Sequence, residues 1–260
     1  MLIGLDGPRA TLLWWTLPTF MTLLGAAFLA CVSLLVWQAR EARRPARLVD
    51  LALVSLAFAL VFARMEHVAL NWPHFSANPG EILSIASGGL NAHGAIVGAG
   101  MGSTLAARWF KLDRRLWLNA ASFALPIFAF AAWWGCAAAG CAYGAEVDNL
   151  ADYPSFLVWE ASGDYLAFAP RYAVQPIGMV LSAFSLVLVT LGTAVGVGGE
   201  RRAGVSLVLV MTVSFFLGFV RGDPTTYSGG LRVDQWLDAL FALAGVLILL
   251  AGRKVDVPPA

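Results

Sequence analysis

Charged side chains are scarce in this chain. Asp, Glu, Lys and Arg make up 13% of its 260 residues, whereas 59% are hydrophobic, and the mean hydropathy is +0.74. Soluble domains carry about 25% charged residues, so this composition excludes a soluble globular protein and favours a membrane protein. The formal net charge is +1, and no basic patch is interleaved with aromatic residues. Such a pattern argues against a nucleic-acid partner.

Cysteine and histidine are equally scarce, with three of each. Three cysteines are too few for a disulfide framework, although a single disulfide between Cys136 and Cys141 stays open. The histidines and the scattered carboxylates lack metal-ligand spacing, so we expect no metal and no other cofactor. Residues 236–251, the last apolar segment, contain no lysine. This excludes a retinal protein, which needs a lysine in its last span.

Long apolar segments, by contrast, recur along the chain. A transmembrane helix needs about 20 such residues. The segments lie at about residues 15–37, 48–65, 93–108, 116–134, 174–195, 205–220 and 236–251. The first lacks a basic leader and a clear cleavage site, so it is expected to be an uncleaved span. We therefore predict an all-α integral membrane protein, a single polytopic domain of residues 1–260 with seven transmembrane helices.

The basic residues predict the orientation of these spans. Twelve of the 17 lie in the first, third and fifth connections and in the C-terminal tail. They are Arg40, Arg43, Arg44, Arg47, Arg108, Lys111, Arg114, Arg115, Arg201, Arg202, Arg253 and Lys254. Because lysine and arginine stay on the cytoplasmic side, the C-terminus is predicted to be cytoplasmic and the N-terminus outside. The three longer, more acidic connections then face outward.

One stretch, residues 71–102, differs from the other connections and spans. It reads NWPHFSANPGEILSIASGGLNAHGAIVGAGMG and passes from a polar loop into a glycine-rich apolar segment, with His93 at the junction. An ionisable group at such a depth is costly and is a functional candidate by default. Histidine titrates near neutral pH and can act as a general base. The alternative is a histidine that only satisfies a backbone carbonyl.

Arginines recur on the predicted outward side. Arg64, Arg171, Arg221 and Arg232 lie in or beside the outward connections, near glycines that permit close backbone approach. A guanidinium group stays charged and binds phosphate through two parallel hydrogen bonds, so these residues suit an anionic lipid headgroup. The alternative for each of them is a side chain that snorkels or forms a salt bridge.

Several motifs on the outward side follow one another in a characteristic order. The first set comprises Ala63-Arg64, Asn71-Trp72, Pro79 with Ile82, and the GGLNAHG run of residues 88–94. The second set comprises Gly135-Cys136, Gly140-Cys141, Tyr143-Gly144, Arg171-Tyr172 with Gln175, and Arg221 with Gly230-Leu231 and Gln235. In this order and spacing, from about Arg64 to Ala251, the chain resembles the prolipoprotein diacylglyceryl transferases of the bacterial inner membrane.

The resemblance implies a function. Members of that family move a diacylglyceryl group from phosphatidylglycerol to the lipobox cysteine of a lipoprotein precursor. The expected partners are therefore phosphatidylglycerol, the signal peptide of the precursor and membrane lipids, and the expected location is the bacterial inner membrane. His93 is the expected catalytic base. The expected substrate-binding residues are Arg64, Asn71, Gly94, Gly135, Gly144, Arg171, Gln175 and Arg221.

Several charged residues of the family pattern are missing here. Trp133 and Ser214 stand where the family has arginines, Gly218 stands at a glutamate position, and Ile177-Gly178 replaces a tyrosine–glutamate pair. Two further hypotheses therefore stay open beside the lipoprotein transferase. One is a non-catalytic relative that binds phospholipid or peptide, and the other is a transferase that uses phospholipid with another acceptor.

Overall fold

The computed structural model describes residues 3–4, 9–12, 15–39, 46–85, 88–112, 114–163 and 168–251. The chain divides into two compact units, Met1–Cys31 with Leu118–Ala260, and Val32–Trp117. The single polytopic domain stays a prediction. Among the residues that predict the orientation, Arg40, Arg43, Arg44, Arg253 and Lys254 lie outside the described residues.

Helices make up most of the described chain. They are α1 (Thr19–Gln38), α2 (Ala46–Leu70), α3 (Trp72–Ala77), α4 (Ala92–Phe110), α5 (Arg114–Ala139), α6 (Val174–Ala194), α7 (Gly199–Leu217) and α8 (Val233–Ala251). All except the short α3 have 19 to 26 residues. At about 1.5 Å per residue they are about as long as the hydrocarbon core of a bilayer is thick.

Five helices in the described chain are long and apolar enough to cross a membrane: α1, α2, Trp117–Ala139 of α5, α6 and α8. Only 17 to 33% of each apolar stretch is buried, so most of its surface is available to lipid. α4 and α7 are as long as α8, but glycines dilute the apolar character of α4 and a charged first turn that of α7. The chain is thus a multi-pass membrane protein, whereas seven spans and their orientation stay predictions.

The described residues include one short antiparallel sheet before α1 and two in connections between helices, so the prediction of an all-α fold is too strict. β1 (Ile3–Gly4), β2 (Arg9–Leu12) and β3 (Trp15–Pro18) form the first, β4 (Val158–Ser162) and β5 (Phe168–Tyr172) the second, and β6 (Tyr227–Ser228) and β7 (Leu231–Arg232) the third. Gly229 and Gly230 have φ angles of 59° and 82°. Positive φ at both central residues suits a two-residue hairpin turn between β6 and β7.

Some helix bounds differ from the sequence prediction. α1 begins at Thr19 because residues 15–18 pair with residues 9–12 as a strand. The proline at position 18 also disfavours a helical conformation at Leu17 before it. α2 continues to Leu70, so Arg64 lies inside a helix rather than at the end of a span. The predicted polar loop after α2 contains α3 and a short 3-10 turn, Pro79–Glu81.

Within Met1–Cys31 with Leu118–Ala260, small residues bring neighbouring helices together. α1 packs on α5 where Leu23 and Ala27 meet Ala131. α7 crosses α8 at a glycine pair. A Cβ on Gly204 would lie 2.9 Å from the carbonyl oxygen of Gly245, and a Cβ on Gly245 would lie 3.0 Å from that of Gly204. Small residues that let helix backbones approach are typical of helix contacts in membranes.

Within Val32–Trp117, a stripe of glycines packs α4 against α2. Gly94, Gly98 and Gly102 are buried and recur every four residues along one face of α4. A Cβ on Gly98 would lie 2.3 Å from the carbonyl oxygen of Phe58. Since that oxygen belongs to the backbone of α2, only glycine permits this approach. Gly100 lies off the stripe, and a Cβ there would have no atom within 4 Å.

The Gly98→Ala substitution is expected to destabilise the protein, by about 1–3 kcal/mol if the two helices must move apart to accept the methyl group. The Gly100→Ala substitution on the same helix is the matched control. It is expected to be neutral or slightly stabilising, because alanine is the better helix former and meets no neighbour. The measurement is the thermal unfolding midpoint of the purified protein in detergent. Equal midpoints for the two variants would contradict the proposed packing.

Candidate active site

The N-terminus of α4 joins His93 to a carboxylate on α2. His93 is the second residue of α4, and its Nδ1 lies 3.5 Å from Oε1 of Glu66. The two side chains are 12% and 14% exposed. The other carboxylate oxygen of Glu66 accepts a hydrogen bond from the N–H of Gly94. The free N–H groups and the dipole of a helix N-terminus favour a negative charge there, so the position stabilises the Glu66 carboxylate beside the imidazole.

Arg64, predicted to bind phosphate, lies in the same unit and binds backbone carbonyls. Its Nε donates to the carbonyl of Ile82 at 2.8 Å, and Nη2 to that of Glu81 at 2.6 Å. Nη1 donates to Gly88 at 2.7 Å and to Gly89 at 3.1 Å. These contacts use all but one of the five N–H donors of a guanidinium group. The side chain therefore fixes the loop that leads into α4.

Two other predicted substrate-binding residues in this unit also have packing roles. The side-chain amide of Asn71 donates to the carbonyl of His67 at 2.9 Å, and the backbone carbonyl of Asn71 accepts from His74 at 3.0 Å. Asn71 thus links the end of α2 to α3. A Cβ on Gly94 would lie 2.3 Å from the carbonyl oxygen of Phe62, so glycine is needed for the first turn of α4 to meet α2.

In the other unit, the backbone of residues 143–147 joins segments that are distant in sequence. The N–H of Ala145 donates to the carbonyl of Val220 at 2.8 Å, and the carbonyl of Ala145 accepts from Tyr172 at 3.1 Å. Gly144 lies at the closest approach, since a Cβ there would be 2.1 Å from the carbonyl oxygen of Tyr172. This predicted site residue therefore lets the segment before α6 pack against residues 143–147.

Arg171 on β5 is 6% exposed and only partly satisfied. Its Nη1 donates to the carbonyl of Gly144 at 3.2 Å, and Nη2 pairs with Oε1 of Glu146 at 2.6 Å. The Nε has no hydrogen-bond partner among the described residues, and the same holds for Nε1 of Trp159. Trp159 is directly opposite Arg171 in the β4–β5 register, so both side chains lie on one face of the hairpin. Two buried, unused donors on one face suit an oxygen-rich ligand such as phosphate.

Arg221 forms an ion network with two aspartates. Its Nη2 lies 2.5 Å from Asp223 and its Nη1 2.8 Å from Asp234, and Arg232 contacts the same two carboxylates at 3.1 Å each. Burial alone would lower the pKa of Arg221. The hydrogen bond and charge of Asp223, with the charges of Asp234 and Asp238, raise that pKa above its ordinary value. Arg221 therefore stays charged, and these contacts support the salt-bridge alternative.

Two more predicted site residues, Gln175 and Gly135, position the C-terminal end of α5. Cys136 and Cys141, left open by the sequence, form a disulfide there. Gln175 is 1% exposed, and its Nε2 donates to the carbonyl of Cys141 at 3.0 Å. A Cβ on Gly135 would lie 2.6 Å from the ring of Phe20. Gln175 thus links α6 to the disulfide, and Gly135 lets α5 approach α1.

The chain matches one known protein family along most of its length. A family model described as prolipoprotein diacylglyceryl transferase matches residues 10–251. The chain belongs to this family. This family was expected from the order of the motifs between about Arg64 and Ala251, and the match begins earlier in the chain, at residue 10.

Individual prolipoprotein diacylglyceryl transferases are similar over most of their length. The phosphatidylglycerol–prolipoprotein diacylglyceryl transferase of Clostridium novyi (strain NT) is 27% identical over 213 residues, 78% of this chain and 79% of that protein. The protein of the same name from Streptococcus pneumoniae (strain ATCC 700669 / Spain 23F-1) is 27% identical over 229 residues, 82% of this chain and 81% of its own. The protein of the same name from Bacillus mycoides (strain KBAB4) is 25% identical over 213 residues, which are 80% of this chain and 77% of that protein.

The departures from the transferase pattern coincide with tight packing. A Cβ on Gly178 would lie 2.4 Å from the indole ring of Trp133, so the tryptophan fills the space of a side chain at position 178. A Cβ on Gly218 would lie 2.6 Å from Cγ of Gln235. Gln235 is held there, since its Nε2 donates to the carbonyl of Phe215 at 2.9 Å. Side chains are thus tightly packed at positions where the family pattern predicts charged residues.

Two residues of the candidate site, Glu66 and Trp159, were not predicted from the sequence. The sequence does indicate Glu66, because a carboxylate within a long apolar helix is costly and is therefore a functional candidate. The sequence does not indicate Trp159, because its position opposite Arg171 depends on the register of the hairpin. The register is set by pairing between strands and cannot be read from the local residue types.

Proposed function

We propose that this protein transfers a diacylglyceryl group from phosphatidylglycerol to the lipobox cysteine of a prolipoprotein in the bacterial inner membrane. The family match over residues 10–251 carries this proposal. Both substrates occur in the names of the three relatives. The signal peptide of the precursor brings the cysteine to the enzyme, and the membrane itself supplies the lipid.

The reaction needs a base for the thiol, because the thiolate is the nucleophile. His93 takes the proton from the cysteine sulfur. The sulfur then forms a bond to the glyceryl carbon that bears the phosphate ester, and the carbon–oxygen bond breaks. The electron pair leaves with the phosphate oxygen, and the products are a thioether and glycerol phosphate. Support comes from the position of His93, which is only 12% exposed and faces a carboxylate.

The departing phosphate needs hydrogen-bond donors and positive charge. Arg171 supplies the charge, and its Nε–H and the Nε1–H of Trp159 are the unused donors of the described hairpin. The contacts with Glu146 and Gly144 hold the guanidinium in place. Arg64 and Arg221 contribute to substrate binding indirectly, since most of their donors hold loops and ion pairs.

The acyl chains of the lipid need an apolar surface. The face of α4 that carries Gly100 forms a shallow, open groove, lined almost entirely by apolar atoms of this one helix. Its residues are Ile96, Val97, Gly100, Met101, Thr104 and Leu105. We assign an acyl chain to this groove, because it lies on the helix that begins with His93.

We further propose seven spans with a cytoplasmic C-terminus. Two features support this arrangement: seven helices of at least 19 residues in the described chain, and the basic residues of alternate connections. The disulfide between Cys136 and Cys141 at the end of α5 also supports it. Disulfides persist in oxidising compartments, and the proposed orientation puts that end of α5 outside.

Reporter fusions test the orientation. A reporter that works only in the cytoplasm is expected to be active when fused to the C-terminus and inactive when fused after Ala145, because α5 then ends outside. An alkaline phosphatase fusion at the same two positions is the matched control and should show the reverse pattern. Cytoplasmic activity after Ala145 would contradict the orientation.

The packed side chains at charged positions of the family favour a second candidate, a relative that binds phospholipid or peptide without catalysis. Trp133 packs over Gly178 and Gln235 over Gly218, so positions 133, 178 and 218 lack three charged groups of the family pattern. A transferase with another acceptor is the third possibility that the same observation leaves open. Both predict that the wild-type chain never lipidates a lipobox cysteine.

The His93→Gln substitution separates catalysis from a structural role. Glutamine is similar in size and keeps one hydrogen bond, so we expect a folded protein whose transfer rate falls about 10²–10⁴-fold through loss of the base. The matched control is His74→Gln, because His74 pairs with Glu81 on the surface of the same unit and is 55% exposed. The measurement is complementation of a strain depleted of its own transferase, with the mature lipoprotein followed by gel shift.

Wild type and His74→Gln should complement, and His93→Gln should not, at equal membrane abundance. Full complementation by His93→Gln would overturn its role as the base. Failure of the wild-type chain to lipidate any lipobox cysteine would contradict the lipoprotein transferase and favour one of the other two candidates.

A further inference from the structure

The pair formed by Glu66 and His93 has the geometry of an oriented imidazole. Nδ1 of His93 faces Oε1 of Glu66 at 3.5 Å. This distance is longer than an ordinary hydrogen bond of about 2.9 Å, but catalytic hydrogen bonds are often long without substrate and tighten in the complex. Both side chains are largely buried, so water screens the pair little.

The carboxylate of Glu66 is anchored at one oxygen and open at the other. The N–H of Gly94 donates to Oε2 and fixes the group at the first turn of α4. Oε1 is buried and accepts no hydrogen bond within the described ranges. A buried acceptor without a donor is unfavourable, and Nδ1 of His93 is the titratable nitrogen that faces it. Oε1 of Glu66 therefore gains a hydrogen-bond donor when Nδ1 of His93 carries a proton.

We propose that Glu66 is the positioning residue of His93. It holds the imidazole in the tautomer with hydrogen on Nδ1, so that Nε2 takes the thiol proton, and its negative charge stabilises the imidazolium that forms. The proton moves from the cysteine sulfur to Nε2 and later leaves to water, while Glu66 stays ionised throughout. This inference rests on the proposed transferase function for its kinetic consequence, but the tautomer does not depend on that function.

The chain itself offers the control for this proposal. A second glutamate–histidine pair, Glu81 with His74, lies on the surface of the same unit at 3.0 Å, with both side chains more than half exposed. Glu66→Gln keeps the size of the side chain and an oxygen for the N–H of Gly94, but removes the charge. Glu81→Gln makes the same chemical change in a pair that the reaction does not use.

The kinetic test uses the purified full-length protein in phosphatidylglycerol vesicles with a synthetic lipobox peptide. Glu66→Gln is expected to lower kcat, by about 10- to 100-fold if the loss resembles that of a partner of a metal-bound histidine and by up to about 10⁴-fold if it resembles that of a triad carboxylate. KM for the lipid and the unfolding midpoint should stay unchanged. Glu81→Gln should keep the wild-type kcat. In the His93→Gln background, Glu66→Gln should cost nothing further, because the two residues act as a unit. An unchanged kcat in Glu66→Gln, or an additive loss in the double variant, overturns the proposal.

The tautomer test gives an answer even where transfer is absent or Glu66→Gln fails to fold. In the ¹⁵N spectrum of histidine-labelled wild-type protein, with the signals of His93 assigned through His93→Gln, neutral His93 should carry its hydrogen on Nδ1. Glu66→Gln should move it toward a mixture of tautomers, and Glu81→Gln should not. Hydrogen on Nε2 in the wild type overturns the pairing. An inactive wild type with the expected tautomer would instead contradict the transferase function alone.

Discussion

The close contact of α4 with α2 is the constraint on which the site depends. Three glycines spaced by four residues remove the side chains that would hold the helix backbones apart. In a membrane, where apolar surface gives no preference for helix over lipid, such close packing and the polar contacts it permits decide which helices associate. Because the first of these glycines, Gly94, follows His93, the same contact brings Glu66 to the imidazole. A wider helix pair would leave the histidine without its carboxylate.

The arginines differ by how many of their donors are already used. Arg64 binds four backbone carbonyls, and Arg221 shares two aspartates with Arg232. A guanidinium whose donors are satisfied within the protein loses those contacts if it turns to a ligand, so these two side chains serve the loops around the site. Arg171 is the exception, since its buried Nε has no partner in the described chain. The unused donor of Arg171 thus distinguishes this candidate ligand-binding residue from Arg64 and Arg221, which have structural roles. The sequence alone does not show this difference.

Much of the fold could be predicted from the sequence, because hydropathy over about 20 residues is a strong local signal. The apolar segments followed from it, whereas the family followed from the order of the motifs and the glycine-rich helix from the composition of residues 92–110. Contacts between distant residues could not be predicted in the same way. The strand of residues 15–18 before α1 depends on its partner strand, and the position of Trp159 opposite Arg171 depends on hairpin register. The partners of Arg64 are backbone carbonyls. Because every residue has one, the residue types do not indicate which carbonyls Arg64 binds.

The proposed diacylglyceryl transfer must proceed without several charged residues that the family pattern predicts. Trp133 and Gln235 occupy space beside Gly178 and Gly218. In the proposed reaction, His93 is the base and Arg171 supplies the positive charge. The most direct test incubates the purified wild-type protein with phosphatidylglycerol and a lipobox peptide and weighs the peptide by mass spectrometry. Our account predicts one diacylglyceryl group on the cysteine sulfur and an equal amount of released glycerol phosphate. An unmodified peptide, with a folded protein and phosphatidylglycerol present, would contradict it.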